Sequence, residues 1–166
     1  MSESLHSRSW RWLANLAPDY RRRWLANLAP AYRRTGARVS YVANDFKRVD
    51  IRLPLTWQTR NHLNMIWGGS LYAALDPVYG VMLHKLLGKE YYVVDKAATI
   101  HFHRPARTQL HARFEVDDHE LDTIRTLLKT QEKIDRVYRV ELKDKDGKVY
   151  TVCDKTVHVR KVGAAG

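Results

Sequence analysis

Residues 61–88 read NHLNMIWGGSLYAALDPVYGVMLHKLLG and form the longest segment of helical apolar periodicity in this chain. Apolar side chains recur every three or four residues, at Leu71, Leu75, Val78, Met82 and Leu86. Further apolar residues widen this stripe until little polar surface remains. The segment therefore predicts one long helix that the rest of the chain surrounds, with Gly88 as its C-cap.

Two features of this helix point beyond packing. Gly68 and Gly69 stand where it begins, so the backbone N–H groups of its N-terminus are open to an incoming oxygen atom. Asp76 places a carboxylate among apolar residues, which costs free energy unless the group is paired or used in chemistry. Asp76 is either a structural cap for a new helical turn begun by Pro77, or a catalytic acid or base.

The spacing of Gly69 and Asp76 bears on the number of subunits at the site. On one helix the two residues lie roughly 10 Å apart along the axis, at about 1.5 Å per residue. That separation is too long for both to act on one carbonyl group from a single helix. If both contact one substrate, Asp76 comes from a second subunit, so the spacing predicts a dimer.

Composition narrows the class of protein. The chain has 166 residues, 45% of them hydrophobic, which suits one domain with a sizeable core. A net charge of +11 predicts an anionic partner: nucleic acid, a membrane surface or a phosphate-bearing molecule such as coenzyme A. No segment approaches the roughly 20 apolar residues of a transmembrane helix. The single cysteine, Cys153, excludes an intrachain disulfide and predicts a reducing, cytoplasmic compartment.

The N-terminal part contains a tandem duplication. Residues 11–22, RWLANLAPDYRR, are repeated at 23–34 as RWLANLAPAYRR with one difference. Each copy predicts a short helix broken by proline. We expect only the second copy to dock, so that residues 1–22 form an extension and residues 23–166 a single domain. A membrane-surface helix or a mitochondrial transit peptide is the alternative for this Arg- and Trp-rich segment.

The rest of the chain alternates with the period of strands. Residues 39–53 predict a hairpin that Pro54 ends. After the long helix, strands are predicted at 91–95, 98–102, 110–116, 140–142 and 149–159, and a short helix at 118–130. Asp146-Gly147 marks a hairpin turn between the last two strands. Antiparallel strands with one dominant helix predict an α+β fold, with the sheet curled around the helix.

Three histidines form a possible cluster. If the strands ending at His103 and starting at Gln109 pair across the turn, then His101, His103 and His111 share one face, with opposed Cβ atoms about 5 Å apart. Three imidazoles could hold Zn²⁺, although no carboxylate is placed to orient them, and we expect no metal. The alternatives are a solvated face, or an oligomer contact that loosens as pH falls through about 6.5.

The central segment also resembles a known superfamily. The stretch N-H-L-N-M-I-W-G-G-S-L-Y-A-A-L-D resembles the Asn, His-Gly-Gly and Asp pattern of the phenylacetate-type acyl-CoA thioesterases. The segments GGSLYAALDPVYGVMLHKLLG, DKAATIHFHRPAR, DGKVY and KTVHVRK more closely resemble a poorly characterised branch of the same superfamily. The resemblance spans residues 24–161. It implies the hotdog fold, a curved antiparallel sheet wrapped around one long helix, in a homodimer or a dimer of dimers, with no cofactor.

The resemblance assigns the catalytic roles residue by residue. Asp76 takes the place of the family's acid, Asn61 that of its conserved Asn, and Gly68 that of its oxyanion-binding amide. In such enzymes the Asp and Asn come from one subunit and the Gly amide from the other. One position departs from the pattern, because Trp67 stands where the family has His. Its indole N–H can donate a hydrogen bond but cannot act as an acid or base.

Candidate substrate-binding residues surround this set. Three of them adjoin the helix start and three are basic residues on or just after the next strand: Gly69, Trp67 and Asn64, then Lys96, Arg104 and Arg107. The basic residues suit the phosphates of coenzyme A, or they belong to a solvated face.

The implied function is hydrolysis of acyl-CoA thioesters at a site shared between subunits. Asp76 would activate water or attack the carbonyl directly, and the Gly68 N–H would stabilise the oxyanion. One alternative is a hotdog domain that binds acyl-CoA or an acyl chain without turnover, which Trp67 motivates. A nucleic-acid-binding module is a third hypothesis, based on charge alone, and we expect no nucleic-acid partner because no such motif is present.

Overall fold

The computed structural model describes residue 27 and residues 29–163. In chain order the helices are α1 (Pro30–Arg34), α2 (Gly68–Leu75), α3 (Val78–Leu87) and α4 (Asp118–Thr130). The strands are β1 (Arg38–Val42), β2 (Arg48–Leu53), β3 (Tyr91–Phe102), β4 (Leu110–Glu115), β5 (Lys133–Lys143) and β6 (Val149–Lys161). Within these residues no helix combines the length and apolar character needed to cross a bilayer.

The six strands form one antiparallel sheet in the order β1-β2-β4-β5-β6-β3. The sheet curves around α2 and α3, and their apolar faces fill its inner side. Alternation along each strand builds the inner surface, because every second side chain points the same way. Its buried residues include Val49, Ile51, Leu53, Leu110, Ala112, Phe114, Thr151, Cys153, Val157 and Val159. The α+β prediction is confirmed.

The predicted long helix runs from Gly68 to Leu87, with an interruption at Asp76 and Pro77. Proline lacks an N–H group for the carbonyl one turn earlier, which accounts for the break. Gly88 ends the helix with a φ of 92°, as predicted. Within one chain the helix is not surrounded on all sides, since Val81 is 61% exposed.

Several local predictions are confirmed. The hairpin of β1 and β2 ends at Leu53, just before Pro54, and α4 matches the predicted helix at residues 118–130. Asp117 caps α4 by accepting a hydrogen bond from the Glu120 N–H. Strands β5 and β6 pair through the turn at Gly147, whose φ is 82°.

The predicted pairing of β3 with β4 is wrong. Strand β3 pairs with β6, and β4 lies between β2 and β5. Alternation shows which side chains share a face but not which strand lies next, so the turn after His103 was misread as a tight hairpin. His101 lies opposite Val152 and His111 opposite Arg52 and Lys143. The three-histidine cluster is therefore absent, and the part of the chain described holds no metal-binding group of His, Cys, Asp or Glu.

Strand β3 is an edge of the sheet. Its 12 residues merge the two short strands predicted at 91–95 and 98–102, with a bulge between Asp95 and Ala97. Among the described strands, β3 pairs only with β6. On its other side no described segment pairs with its backbone groups, and a long strand with such a side favours pairing with another chain.

The described residues of the second copy of the duplication contact the strands and helices of the domain. The Asn27 carboxamide donates to Val39 O at 3.0 Å and accepts from Val39 N at 2.8 Å, on the outer edge of β1. The hydroxyl of Tyr32 donates to Ala74 O in α2 at 3.3 Å. Pro30 occupies the first turn of α1, so it begins a helix here. The first copy lies outside the described residues.

Candidate active site

Two loops meet at the start of α2 and fix its position. The Trp67 N–H donates to Thr59 O at 2.7 Å, and the Ile66 N–H donates to Ala106 O at 2.7 Å. Thr59 is buried, and its hydroxyl bonds to Pro54 O at 2.7 Å. The segment before the helix is thus held by hydrogen bonds within itself and by one to the loop between β3 and β4. These hydrogen bonds fix the position of the Gly68 backbone.

Two aromatic rings flank the first turn of α2. A Cβ atom on Gly69 would lie 2.5 Å from the indole of Trp67, so the absence of a side chain lets that ring fold over the helix start. The Phe102 ring lies beside Gly68, 3.4 Å from where a Cβ would be. Trp67 is 62% exposed and Phe102 54%. The N-terminus of α2 therefore lies between two exposed aromatic side chains.

No side chain in the described part of the protein caps the backbone N–H groups at this N-terminus. Trp67 is the N-cap residue, and its side chain accepts no hydrogen bond from the first turn, which also lacks acidic residues. The first N–H groups of a helix have no partner within the helix and carry its positive end. Gly68 and Gly69 thus present the oxygen-binding arrangement that the sequence predicted.

Asn61 and Asn64 shape the turn before the helix. The Asn61 side-chain oxygen accepts from the backbone of Leu63 at 2.9 Å and Met65 at 3.4 Å. Asn64 has a φ of 56°, a left-handed conformation that asparagine tolerates. No hydrogen bond joins Asn61 to Asp76 in the described part of one chain. Both asparagines have a structural task here, and their functional roles remain predictions.

The three predicted basic residues do not lie together. Arg104 and Arg107 flank Ala106 in the loop that is bonded to Ile66, at the same end as Gly68. Lys96 lies on the outer face of the sheet in an ion pair with Asp135. It is six residues from Phe102, about 20 Å along the strand. The structure thus separates Lys96 from the helix N-terminus of its own chain.

Asp76 lies at the break between α2 and α3, where it is paired. Its Oδ1 accepts from the Tyr72 hydroxyl at 2.7 Å and from Lys155 Nζ at 2.8 Å. The Lys155 ammonium also contacts Asp95 Oδ2 at 3.3 Å. Asp76 does not cap α3, whose N-cap residue is Pro77 and has no side-chain cap. The interpretation of Asp76 as a helix cap is therefore wrong. Its carboxylate belongs instead to an ion-pair cluster with Lys155 and Asp95.

Lys155 and Asp95 were not among the predicted site residues. Lys155 belongs to the inner row of β6 and is 0% exposed. The pattern could have revealed it, because alternation from Thr151 through Cys153 to Val157 places residue 155 inward. A lysine at a buried strand position needs a carboxylate partner.

The pKa values of the cluster move in opposite directions. Burial acts to raise the pKa of Asp76, but hydrogen bonds from Lys155 and Tyr72 outweigh it and hold the pKa below its ordinary value. Burial raises the pKa of Asp95, and the charge of Lys155 does not compensate for it. The pKa of Lys155 lies above its ordinary value, because its two aspartates outweigh burial. Asp76 and Lys155 are thus both charged at neutral pH.

Within one chain, Gly68 and Asp76 stand at opposite ends of α2. The helix has eight residues, so its ends are about 12 Å apart. The structure confirms that the two residues lie on the same helical segment, too far apart to contact one carbonyl group together.

Comparison with solved structures identifies the fold. A Pseudomonas aeruginosa protein of unknown function, described as a probable thioesterase, aligns with a TM-score of 0.78 at 20% identity, over 88% of this chain and 97% of its own. A Haemophilus influenzae thioesterase aligns at 0.64 and 15% identity, over 87% and 92% of the two chains. A mutant thioesterase from Pseudomonas aeruginosa aligns at 0.66 and 14% identity, over 90% and 99%.

An antiparallel sheet wrapped around one long helix, which these neighbours share, is the hotdog fold. Among curated proteins, no sequence matches this chain. The family model for the domain of unknown function DUF4442 matches residues 21–159. The chain therefore belongs to the DUF4442 family.

Proposed function

We propose that this protein hydrolyses acyl-CoA thioesters at a site shared by two subunits. The observation that carries the proposal is the pair of features on one helix: an uncapped N-terminus at Gly68, and a carboxylate at Asp76 that stays ionised and 44% exposed. Oxyanion stabilisation and an ionised carboxylate are the two requirements of thioester cleavage without a metal. The thioesterases among the structural neighbours support the same class of reaction.

The proposed reaction uses Gly68 of one subunit and Asp76 of the other. In one route Asp76 takes a proton from water as the water oxygen bonds to the carbonyl carbon. In the other route Asp76 bonds to that carbon itself, and water later cleaves the anhydride. Either way the carbonyl electron pair moves to oxygen and is held by the Gly68 N–H, and its return expels the thiolate. Rapid acid quench of a single turnover separates the routes, because only the second forms a covalent acyl–Asp76 adduct that adds the mass of the acyl group to the protein.

The open edge of β3 supports the shared site. The strand has 12 residues and, within residues 29–163, pairs with β6 alone. Tyr92 and Phe102 add exposed apolar surface to it. Pairing of β3 with its copy would join two sheets by the symmetric contact of a homodimer. A dimer of dimers remains compatible with the same edge contact. The cytoplasmic location predicted from Cys153 belongs to this proposal as well.

Arg104 and Arg107 are the proposed contacts for the nucleotide end of coenzyme A. Both are exposed and lie at the same end of the molecule as the helix N-terminus. Arginine binds phosphate oxygens with two parallel hydrogen bonds. Lys96 is less suited, since Asp135 already neutralises it on the outer face. Asn61 is proposed to orient the attacking water, as the superfamily resemblance implies.

The decisive experiment measures thiol release from a panel of acyl-CoAs with the wild-type protein and Asp76→Ala. We expect wild-type turnover, and a decrease of at least about a hundredfold in the variant, because the loss of a general base or nucleophile costs that much. Asp154→Asn is the matched control, since Asp154 pairs with Arg139 on the outer face of the same sheet. Equal rates for wild type and Asp76→Ala would remove Asp76 from the mechanism.

A second candidate function is binding of acyl-CoA without turnover. Trp67 favours it, because an exposed indole that folds over Gly69 supplies an apolar contact but no proton transfer. Tryptophan fluorescence titrated with acyl-CoA would show saturation in both cases, and the same titration of Trp67→Phe isolates the Trp67 signal from the four other tryptophans. Saturation with no thiol release from any acyl-CoA would establish the binding function and exclude hydrolysis.

A further inference from the structure

Lys155 is a fully buried cation whose position calls for an explanation beyond packing. It extends from the inner face of β6 toward the interruption between α2 and α3. Burying an ammonium costs several kcal/mol before its partners are counted. An apolar residue at the same position would complete the inner row of Cys153 and Val157 without that cost.

The bonds to Asp76 are unequal between its two oxygens. Both hydrogen bonds, from Lys155 and from the Tyr72 hydroxyl, go to Oδ1. Oδ2 accepts no hydrogen bond from the residues that the structure describes. With one oxygen held at two points and the side chain 44% exposed, the carboxylate has a fixed orientation and a free oxygen on its open side.

Asp95 holds the same ammonium from the opposite side. Its Oδ2 lies 3.3 Å from Lys155 Nζ, while its Oδ1 is buried without a hydrogen-bond partner. Two carboxylates around one ammonium leave an excess negative charge, which is a poor arrangement for stability alone. The same arrangement holds the Lys155 ammonium between two carboxylates. Its Nζ also lies 5.3 Å from the centre of the Tyr72 ring, a cation–π contact.

We propose that Lys155 is a positioning residue for Asp76: with Tyr72 it fixes Oδ1, so that Oδ2 is presented to the thioester or to the attacking water. Asp95 keeps the ammonium in place from the edge strand. This inference rests on the proposed hydrolase function and deepens it, because it states how the reactive oxygen is selected. Lys155 itself stays protonated between its two aspartates, so it serves as a fixed cation and not as a nucleophile.

The titratable groups around Asp76 determine how its protonation should change when the charge of Lys155 is removed. Asp76 faces the Tyr72 hydroxyl from α2, Lys155 and Cys153 from β6, and Asp95 from β3. Of these only Lys155 is positive. Without its charge, the carboxylate of Asp76 faces burial and the negative charge of Asp95 together. Both effects favour the protonated form, so Asp76 would lose its charge at a higher pH than in the wild type.

The first test is Lys155→Met, which keeps an unbranched side chain only one atom shorter and removes the charge. We expect kcat to fall about tenfold to a thousandfold with KM little changed, because the reacting carboxylate loses its fixed orientation while no group that binds the substrate is altered. The acidic limb of the kcat–pH profile should move about one to three pH units higher. Lys161→Met, on the exposed end of β6, is the control and should match the wild type.

Titration of the aspartate side-chain carbons by ¹³C NMR gives a readout that is independent of turnover. The Asp76 resonance is assigned by its loss in Asp76→Asn, and its midpoint should rise in Lys155→Met. If Lys155→Met does not fold, Tyr72→Phe replaces it, since it removes the other bond to Oδ1 and keeps the ring. We expect Tyr72→Phe to lower kcat and raise the midpoint to a smaller extent.

The outcomes separate this inference from the proposed function. A folded Lys155→Met protein with an unchanged acidic limb and an unchanged Asp76 midpoint would overturn the role of Lys155. If Lys155→Met is unfolded, an unchanged midpoint and an unchanged kcat in Tyr72→Phe would overturn the proposal that Oδ1 is fixed from both sides. A wild-type protein that releases no thiol, but whose Asp76 midpoint does rise in Lys155→Met, would refute hydrolysis while leaving Lys155 in control of Asp76.

Discussion

At the scale of single residues, Asp76 and Asp95 share one lysine but make opposite contributions to stability. The pKa of Asp76 is lowered on folding, so its contribution is present above its unfolded pKa and is lost as pH falls through the folded value. The pKa of Asp95 is raised, so its ionised form is disfavoured by folding, and stability grows as pH falls through its folded value.

This difference predicts the effect of replacing each aspartate by asparagine. At pH 7, Asp76→Asn should lower the free energy of unfolding by about 1 kcal/mol, a value reduced because the side chain is partly exposed. Asp95→Asn should leave it unchanged or raise it, since Lys155 keeps its bond to Asp76. Urea unfolding at pH 7 and pH 4 measures both, and the gap between the variants should narrow at the lower pH. Equal losses at pH 7 would contradict the opposite pKa directions.

At the scale of elements, the second copy of the duplicated segment is joined to the edge of β1. Asn27 acts as a short piece of strand, because its carboxamide satisfies both the N–H and the C=O of Val39. This contact covers the free side of β1, the end of the sheet opposite β3. One edge of the sheet is therefore partly closed by the chain itself, while no described segment covers the other edge at β3.

Asn27→Ala should lower the free energy of unfolding by about 1–2 kcal/mol, because two hydrogen bonds are lost. Asn15→Ala, the same change in the first copy, should have no effect if only the second copy docks. Thermal or urea unfolding of the two variants gives the comparison. Equal losses in the two single variants would show that both copies contribute, which would contradict docking of the second copy alone.

At the scale of the whole molecule, the direction of the backbone groups of β3 gives a test of dimer formation. The His103 N–H donates to Tyr150 O, so the backbone groups of His103 point toward β6. Because hydrogen-bonded and non-hydrogen-bonded positions alternate in antiparallel pairs, Thr99 also faces β6, whereas Ala98 directs its backbone groups to the open edge.

Ala98→Pro should therefore convert a dimer into a monomer while leaving the fold intact, because proline removes an N–H that points away from β6. Thr99→Pro removes an N–H of the β3–β6 ladder and should destabilise the fold instead. Sedimentation at micromolar concentration with circular dichroism distinguishes the two effects. A wild-type protein that is monomeric and fully active would contradict the shared site.

The sequence by itself determined the elements that depend on neighbouring residues. The helical stripe from Leu71 to Leu86, the alternation of the strands and the turn at Gly147 predicted most of the fold, and the superfamily resemblance predicted its class. These signals are local, because periods of about 3.6 and 2 residues are set within one segment. They also located the uncapped helix start at Gly68 and drew attention to Asp76.

Only the tertiary structure decided which strands are neighbours and what surrounds Asp76. Periodicity assigns a side chain to a face but carries no information on the partner strand, so β3 was placed beside β4 when it pairs with β6. The bond between Asp76 and Lys155 joins residues 79 positions apart. Whether a buried lysine meets a carboxylate depends on the register of a strand against a helix on the far side of the core. That register is set by the packing of the whole domain, since no single segment can bury its own apolar face.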